Sequence, residues 1–339
     1  MNATAKETTR LVQLRKDAHR QVALVDEPDL RPLTGFASVY ELALEAIRLG
    51  TKLSELARRS ASVERLSYDL IYSGRSDRRI LPPVDFPGEP SRCLVSGTGL
   101  THLGSARHRQ DMHVKEEELT DSMKMFRWGV EGGRPAAGQI GTPPEWFYKG
   151  SAANLRAHGE PLVIPSFGED GGEEAEIAGV YIVGPDAKPR RIGMVCGNEF
   201  SDHRFEKKNY LNLAGSKLRT CSLGPELVLD PAFDSVPGEV SIKRSGELLW
   251  SKQIRTGEAE MCHSLVNIEH HHFKYEAHRR PGDVHVHFFG ADSLSFGAGV
   301  ELKAGDLMQV RFEGFGRPLV NPLQIADSSQ SLIHAIPLG

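Results

Sequence analysis

The sequence lacks a long apolar segment. Its longest apolar runs fall far short of the roughly 18 residues that a bilayer-spanning helix needs. The first sixteen residues, MNATAKETTRLVQLRK, also lack the apolar centre of a signal peptide. We therefore expect a cytoplasmic protein with no membrane partner.

Cysteine is scarce and scattered. The four cysteines include no CxxC pair and are Cys93, Cys196, Cys221 and Cys262. This spacing argues against a disulfide framework and against a structural zinc site, and it suits a reducing compartment. Each cysteine is predicted to be a small buried side chain.

An excess of positive charge is also missing. The net charge is −4, and no segment interleaves basic with aromatic residues. Nucleic acid is therefore a poor candidate partner, and a small molecule is expected instead. With 339 residues, the chain is long enough for one large domain and a small one.

The N-terminal part, residues 1–85, is predicted to be a small α/β domain. Residues 11–34 alternate short β-prone runs with charged turns, which suggests a small sheet. Within residues 38–60, apolar residues at helical spacing predict a helix, with Ser38 as a candidate N-cap and Gly50 as a stop.

A second, β-rich domain is predicted over residues 86–323, after the proline-rich stretch 80–90. Helices are expected at about 115–130 and 257–278, and residues 324–339 are expected to be a tail or a closing strand. The fold class is therefore α+β. Strand-like runs bounded by Gly, Pro and Asp lie at 161–165, 175–183, 191–196, 238–243, 248–254, 283–289 and 307–313.

One of these strands begins with acidic residues, in the stretch GEEAEIAGVYIVG at 172–184. Alternation along a strand places Glu174 and Glu176 on one face, about 7 Å apart. Two like charges on a half-buried face become favourable when a divalent cation lies between them. The alternative is a solvated strand start. Glu173 lies on the opposite face and is expected to be solvated.

The next strand ends in a third carboxylate. The stretch RRIGMVCGNEFSDHRFE, residues 190–206, leaves its apolar strand at Gly197 and then presents Glu199 and Ser201. A short turn at 184–189 would pair this strand with the preceding one, bringing Glu199 close to the other two glutamates. Three oxygen ligands would then suit Mg²⁺ or Mn²⁺.

These stretches, taken in order, resemble the fumarylacetoacetate hydrolase family over about residues 90–323. The matching pieces are EEAEIAGV, GNEFSDHRFE, SKLRTCSLGPEL and RRPGDVHVHFFG. The resemblance implies a mixed β-sandwich or roll, a homodimer, and Mg²⁺ or Mn²⁺ bound by Glu174, Glu176 and Glu199. Glu199 stands where the family commonly has aspartate.

The resemblance also implies residues that act on a substrate. Lys217, just before the CxxGP segment, would reach a metal-bound substrate and act as a base or hydrogen-bond donor, although on spacing alone it could equally be a surface lysine. Lys149 is a weaker candidate for gripping an anionic substrate. Ser201 is a further substrate-binding candidate, and Ser293 could replace a family threonine that is lost at Ala291.

The hydrolytic members of the family carry a His-Glu pair that activates water, and this chain lacks it. In GTGLTHLGSARHRQ, residues 97–110, the two positions fall on Leu103 and Ala106 or, in the other register, on Ser105 and His108. Hydrolysis is disfavoured unless His102 or His108 substitutes from another position.

Sugar-acid dehydratases form a branch of the family without that pair, and GNEFSDHRFEKKNYLNLAGSK resembles their pattern, as do relatives associated with arabinose catabolism. The expected function is metal-dependent dehydration of a 2-keto-3-deoxypentonate to a 2-oxo semialdehyde such as 2-oxoglutarate semialdehyde. Lys217 is the candidate base, and Glu206 or a metal-bound water is the candidate acid. The alternatives are a C–C bond hydrolase of a 2,4-diketo acid and a non-catalytic sugar-acid-binding protein.

Seven of the fourteen histidines lie in CHSLVNIEHHHFKYEAHRRPGDVHVHFF, residues 262–289. Consecutive helix residues splay by about 100°, so the run 270–272 cannot face one ion. His285 and His287 share a strand face and could bind zinc or line a pocket. The favoured alternative is polar packing of the imidazoles.

Overall fold

Two β-sheets carry the fold in the structure, a computed structural model that describes residues 8–104, 106, 120–327 and 331–339. The larger sheet has twelve strands in the order β4-β3-β2-β1-β12-β11-β10-β15-β6-β7, with β5 on β1 and β8 on β12, and the smaller has the order β14-β13-β16-β17-β9. The strands are β1 Arg10–Lys16, β2 His19–Asp26, β3 Asp29–Pro32, β4 Leu66–Ser67, β5 Arg79–Ile80, β6 Cys93–Gly99, β7 Glu145–Ser151, β8 Leu155–Arg156, β9 Leu162–Ile164, β10 Ala175–Val183, β11 Pro189–Asn198, β12 Cys221–Val228, β13 Val236–Arg244, β14 Glu247–Thr256, β15 Val284–Phe288, β16 Leu307–Phe312 and β17 Leu319–Ile325.

Helices accompany both sheets, so the α+β class is confirmed. None of the helices in the described ranges has the length and apolar composition that crossing a bilayer requires. The α-helices are α1 Val39–Leu49, α2 Leu53–Ser60, α3 Tyr68–Tyr72, α4 Asp121–Gly132, α5 His203–Lys208, α6 Leu213–Lys217 and α7 Leu265–Phe273.

Strand β10 lies at the centre of the protein, and all nine of its residues are buried. Its alternating side chains enter two cores. Ala178 and Val180 pack in the core that α1 and α2 cover, while Ala175 and Ile177 pack in the core shared with the smaller sheet. A strand covered on both faces reads as a continuous apolar run, which is why the sequence shows no polar alternation there.

The N-terminal strands extend the larger sheet, because β1 pairs antiparallel with β12. Helix α1 begins and ends as predicted: the Ser38 hydroxyl accepts the backbone N–H of Glu41, and Gly50 adopts a left-handed φ of 62°. The predicted domain boundary at 85/86 stays a prediction.

Two helix predictions differ from the structure in their bounds. Helix α4 begins at Asp121 after the N-cap Thr120, and residues 115–119 lie outside the described ranges. The helix predicted over 257–278 is shorter, because Ser264 caps α7 and a separate 3-10 turn follows it. Gly257, with φ of 113°, occupies a turn that a helix cannot include.

Candidate metal centre

Three glutamates converge where β10 begins and β11 ends. The antiparallel register places Ala175 opposite Asn198, and the N–H of Glu199 donates to the backbone oxygen of Glu174 at 2.9 Å. Glu174, Glu176 and Glu199 are all buried, and each offers an oxygen within 4.8 Å of the others. Across residues 8–104, 106, 120–327 and 331–339, no other group of three His, Cys, Asp or Glu side chains meets this criterion. The predicted convergence is confirmed.

Two buried lysines contact this cluster. The Lys217 Nζ, at the end of α6, contacts Glu174 Oε1 and lies 2.5 Å from Glu199 Oε2. The Lys149 Nζ lies 2.6 Å from Glu199 Oε1 and also donates to the backbone oxygen of Phe200 at 2.6 Å. Lys217 is only 1% exposed, so the alternative of a surface lysine is wrong.

The electrostatics of the three carboxylates differ. Burial would raise the pKa of Glu174, but the Lys217 ammonium and His203 outweigh it and hold that pKa well below its usual range. Burial and the charges of Glu199 and Glu174 raise the pKa of Glu176 well above its usual range. Burial and the Glu174 charge also raise the pKa of Glu199, and they outweigh Lys149 and Lys217, which lower it. Of the three, Glu176 is therefore the carboxyl whose negative charge the site without metal disfavours most.

This donor set fits a divalent cation. It presents only carboxylate oxygens, which Mg²⁺ and Mn²⁺ prefer over the nitrogen and sulfur ligands of zinc sites. Three carboxylates face two ammonium groups, and the carboxyl of Glu176 contacts the backbone N–H of Gly290, at 2.7 Å, rather than a lysine. A cation among these oxygens would remove the repulsion that raises the pKa of Glu176. The cluster could therefore hold a divalent metal ion.

His203 belongs to the site; the sequence places it just after the strand that ends at Gly197, but assigns it no role. It begins α5, and its Nε2 lies 3.1 Å from Glu174 Oε1. Gly172 makes room for the ring, since a Cβ there would lie 2.2 Å from His203 Nδ1. Burial lowers the pKa of His203, but the adjacent Glu174 carboxylate reverses this and raises it overall. In the sequence, His203 stands within the charged run DHRFEKK, which conceals a buried position.

Ser201 and Glu206 lie beside the cluster in different ways. The Ser201 hydroxyl contacts both carboxylate oxygens of Glu199, at 3.1 and 3.0 Å, and so orients this candidate ligand. Glu206 is buried on α5 and accepts the Ser216 hydroxyl at 3.4 Å. Its charge contributes to raising the pKa of His203, which places it near the Glu174 side of the site. The substrate-binding role of Ser201 and the acid role of Glu206 stay predictions.

Strand β7 contributes a face that sequence reasoning largely missed. Glu145, Phe147 and Lys149 alternate along it and are buried, whereas the residues between them are exposed. The Lys217 Nζ lies 4.8 Å from the centre of the Phe147 ring, and Glu145 accepts the Tyr210 hydroxyl at 3.0 Å. The period-2 pattern of EWFYK was the available signal. Glu145 is therefore a further carboxyl on the face that borders Lys217.

Ser293 lies in a segment, residues 290–296, that contacts the glutamates. It is buried, as are the neighbouring Ala291 and Ser295. Ser295 donates its N–H and its hydroxyl to the Glu173 carboxyl at 2.7 and 2.6 Å. The expectation that Glu173 is solvated is therefore wrong: it is 0% exposed, because Ser295 supplies donors that replace water. The substrate-binding role of Ser293 stays a prediction.

Among the described residues, the positions aligned with the family's His-Glu pair, and the possible substitute His102, do not form a His-Glu pair. His102 is buried, with Thr101 Oγ1 at 2.9 Å and Thr256 Oγ1 at 3.1 Å from its two ring nitrogens. Leu103 is exposed and Ala106 is buried. Ser105 and His108 lie outside the described residues. His102 therefore has a buried threonine hydroxyl at each ring nitrogen.

Four histidines, 272, 278, 285 and 287, form a second group that we term the imidazole cluster; His278 is half-buried and the other three are buried. His287 contacts Ser96 Oγ at 2.9 Å and Thr98 Oγ1 at 2.7 Å through its two nitrogens. His272 Nε2 lies 3.0 Å from His285 Nδ1. These contacts are the polar packing that the sequence favoured over a zinc site. The four cysteines are buried and free, as predicted.

Comparison with known proteins identifies the fold. No protein-family model and no curated protein sequence matches the chain. Among solved structures, the chain resembles fumarylacetoacetate hydrolase from psychrophilic Exiguobacterium antarcticum at 18% identity and a TM-score of 0.59, covering 94% of this chain and 100% of that one. The chain therefore has the fold of fumarylacetoacetate hydrolase, as its sequence motifs predicted.

Sugar-acid dehydratases share this fold as well. 2-keto-3-deoxyarabinonate dehydratase in a hexagonal crystal form matches with a TM-score of 0.70 at 17% identity. 2-keto-3-deoxy-D-arabinonate dehydratase complexed with magnesium and 2,5-dioxopentanoate matches with a TM-score of 0.69 at 18% identity. Each similarity covers 94% of this chain and 99% of the other.

Proposed function

We propose that this protein is a divalent-metal-dependent lyase that dehydrates a 2-keto-3-deoxy sugar acid, a pentonate, to a 2-oxo semialdehyde. The observation that carries the proposal is the buried cluster of Glu174, Glu176 and Glu199 with the Lys217 Nζ against two of its members. Similarity in fold to a dehydratase that is complexed with magnesium and 2,5-dioxopentanoate supports it. The homodimeric state and the cytoplasmic location stay predictions.

The residues of the site suit the binding of a 2-keto acid next to a Mg²⁺ or Mn²⁺ ion. When bound to Glu174, Glu176 and Glu199, the cation would supply Lewis-acid polarisation of the substrate's 2-keto oxygen. Lys149, Ser201 and Ser293 are the candidates for holding the substrate. Burial of the whole cluster excludes water and strengthens each of these electrostatic contacts.

The reaction needs a base at C3 and an acid at the C4 hydroxyl. Lys217 Nζ is the candidate base, because it lies against the ligand oxygens and over the Phe147 ring. Glu206 is the candidate acid. The substrate loses a proton from C3 and a hydroxide from C4, which leave together as one water molecule. The resulting 3,4-ene isomerises toward C5, and the C4–C5 enol becomes the aldehyde, so the carbon count is unchanged.

The alternatives differ in their products. A hydrolase of a 2,4-diketo acid breaks a carbon–carbon bond and releases two fragments, whereas a dehydratase gives one product with every carbon retained. A binding protein gives no product at all. The family's water-activating His-Glu pair falls on Leu103 and Ala106, or on Ser105 and His108, in this sequence, and the loss of that pair favours the dehydratase over the hydrolase.

The deciding experiment is a Mg²⁺-dependent assay with D- and L-2-keto-3-deoxypentonate. We expect a semialdehyde of the same carbon count, no product after chelation of the metal, and no product from Glu176→Gln. A panel of 2,4-diketo acids provides the comparison. Two-fragment release from those acids, or no conversion of any acid in the presence of metal, would contradict the proposal.

A further inference from the structure

Residues 290–296 pass around the start of β10 and contact both of its faces. On one face, the Gly290 N–H donates to Glu176 Oε2 at 2.7 Å. On the other, Ser295 donates twice to Glu173, with its N–H to Oε1 at 2.7 Å and its hydroxyl to Oε2 at 2.6 Å. Side chains of successive residues in an extended chain point in opposite directions, so the side chains of Glu173 and Glu174 lie on opposite sides of the backbone.

The far end of the same segment returns to the carboxylates. The Phe296 ring lies 5.2 Å, centre to centre, from the imidazole of His203, which contacts Glu174. The segment therefore contacts a candidate metal ligand directly at Gly290 and indirectly at Phe296. Ser293, between these two contacts, is buried within this wall of the site.

We propose that Glu173 is a positioning residue whose carboxyl, through Ser295, fixes residues 290–296 as a wall of the metal-carboxylate site. Glu173 does not join the converging oxygens of Glu174, Glu176 and Glu199. Its two contacts instead fix the segment that includes Ser293. Glu173 thus governs the fit of the substrate and leaves the affinity for metal nearly unchanged. For the substrate, this inference rests on the proposed function.

The test uses hydrogen–deuterium exchange of the peptide that covers 290–296 in the full chain. In Glu173→Leu, which removes both acceptors at similar volume, we expect exchange about tenfold faster than in the wild type. Glu173→Gln keeps one acceptor oxygen for the Ser295 N–H and should give an intermediate rate. Ser295→Ala removes the hydroxyl donor to Glu173 and should also give an intermediate exchange rate. This variant still tests the proposal if Glu173→Leu does not fold.

A matched control exists elsewhere in the chain. Glu226 is buried and likewise accepts a hydroxyl, that of Tyr68 at 2.8 Å, and a backbone N–H, that of Arg317 at 3.0 Å. Glu226→Gln should lower stability and leave exchange of 290–296 unchanged. This control distinguishes the general effect of losing a buried carboxylate from the specific effect of losing Glu173 on residues 290–296.

Two further readouts complete the test. Calorimetric Mg²⁺ affinity of the Glu173 variants should stay within about threefold of the wild type, and KM for the converted 2-keto acid should rise about tenfold with little change in kcat. Unchanged exchange in Glu173→Leu, a parallel loss of Mg²⁺ affinity, or an unchanged KM would overturn the proposal. If the wild type converts no acid, the proposed function fails, whereas exchange and Mg²⁺ affinity still decide whether Glu173 fixes the wall.

Discussion

The carboxylate cluster of Glu174, Glu176 and Glu199 and the imidazole cluster are both groups of mostly buried ionisable side chains. The sequence raised a metal site for both and favoured polar packing for the second. In the first, three oxygens of like charge converge and two lysines only partly compensate them. In the second, neutral partners already occupy the ring nitrogens of His287. Buried ionisable groups therefore indicate a metal only when their ligand atoms point at one another.

The hydrogen bonds of His272 fix its tautomer. The Trp146 indole N–H donates to His272 Nδ1 at 3.2 Å, so this nitrogen must accept. His272 Nε2 then carries the proton and donates to His285 Nδ1 at 3.0 Å. A neutral, directional chain of this kind holds α7 against β15. It also leaves these nitrogens poorly placed to bind a cation.

The largest expected effect is at Lys217. Lys217→Met should lower turnover by about 10³-fold or more, because it removes the candidate base while retaining an apolar stem of similar length. Mg²⁺ affinity should change little, since the three carboxylates remain. Steady-state assays and calorimetric titration measure the two quantities. Turnover within a few-fold of the wild type would remove Lys217 from the mechanism.

The next effect distinguishes two buried carboxyls that border the cluster. If Glu206 donates the proton to the leaving hydroxyl, Glu206→Gln should lower kcat by about 10²-fold, and Glu145→Gln should have a smaller effect. The measurement is kcat for both variants at saturating metal. The reverse order would assign the acid role to Glu145, whose strand face borders Lys217 through Phe147.

The imidazole cluster should make the protein sensitive to acid. Burial lowers the pKa of both His285 and His287 to about 3, so the folded state binds fewer protons than the unfolded state at pH 5. Their stabilising contribution is present above pH 6.5, the ordinary histidine pKa, and is lost as the pH falls below it. Each should cost about 1.4 kcal/mol between pH 7.5 and 5.5.

Urea unfolding at the two pH values measures this loss. His287→Asn should reduce the loss of unfolding free energy between the two pH values by the contribution of one histidine, about 1.4 kcal/mol, because asparagine does not titrate in this range. An unfolding free energy that is the same at both pH values would show that these imidazoles are not held neutral. His203, beside the carboxylates, acts in the opposite direction: although burial lowers its pKa, the Glu174 carboxylate raises it overall, so its stabilising contribution is present at low pH and is lost as the pH rises.

The smallest effect is expected at Trp146, whose indole N–H starts the imidazole chain. Trp146→Phe removes that donor and should lower the free energy of unfolding by less than about 1 kcal/mol, because the side chain is 40% exposed and water can replace it. Trp128→Phe on α4, 53% exposed, is the matched control. If the two substitutions lower the free energy of unfolding equally, the Trp146 N–H does not contribute to stability through His272.

Local periodicity predicted much of the fold. The β10–β11 hairpin followed from two apolar runs and a short turn, and α1 followed from its cap and stop residues. The pairing of β1 with β12 did not follow, because it joins segments far apart in sequence and no local pattern encodes such a contact. The helix predicted over 257–278 was too long, because the chain turns at Gly257 and the helix begins only after its N-cap Ser264.

The site was predictable where chemistry and alternation agreed, as at Glu174, Glu176 and Glu199. Glu173 was not, because its burial depends on Ser295, a partner more than a hundred residues away. His203 was given no role for a related reason: its burial among charged neighbours depends on Gly172 and Phe296, which lie elsewhere in the sequence. Motif spacing identifies ligands, but it does not identify the residues that orient them.

Titration of Mn²⁺ into the metal-free protein tests the central claim most directly. We predict one ion bound per chain and an affinity more than about tenfold lower in Glu176→Gln, while His287→Asn binds as the wild type does. Glu176 is the informative position, because it contacts a backbone N–H rather than a lysine. No binding to the wild type, or equal affinity in Glu176→Gln, would contradict a metal centre at these carboxylates.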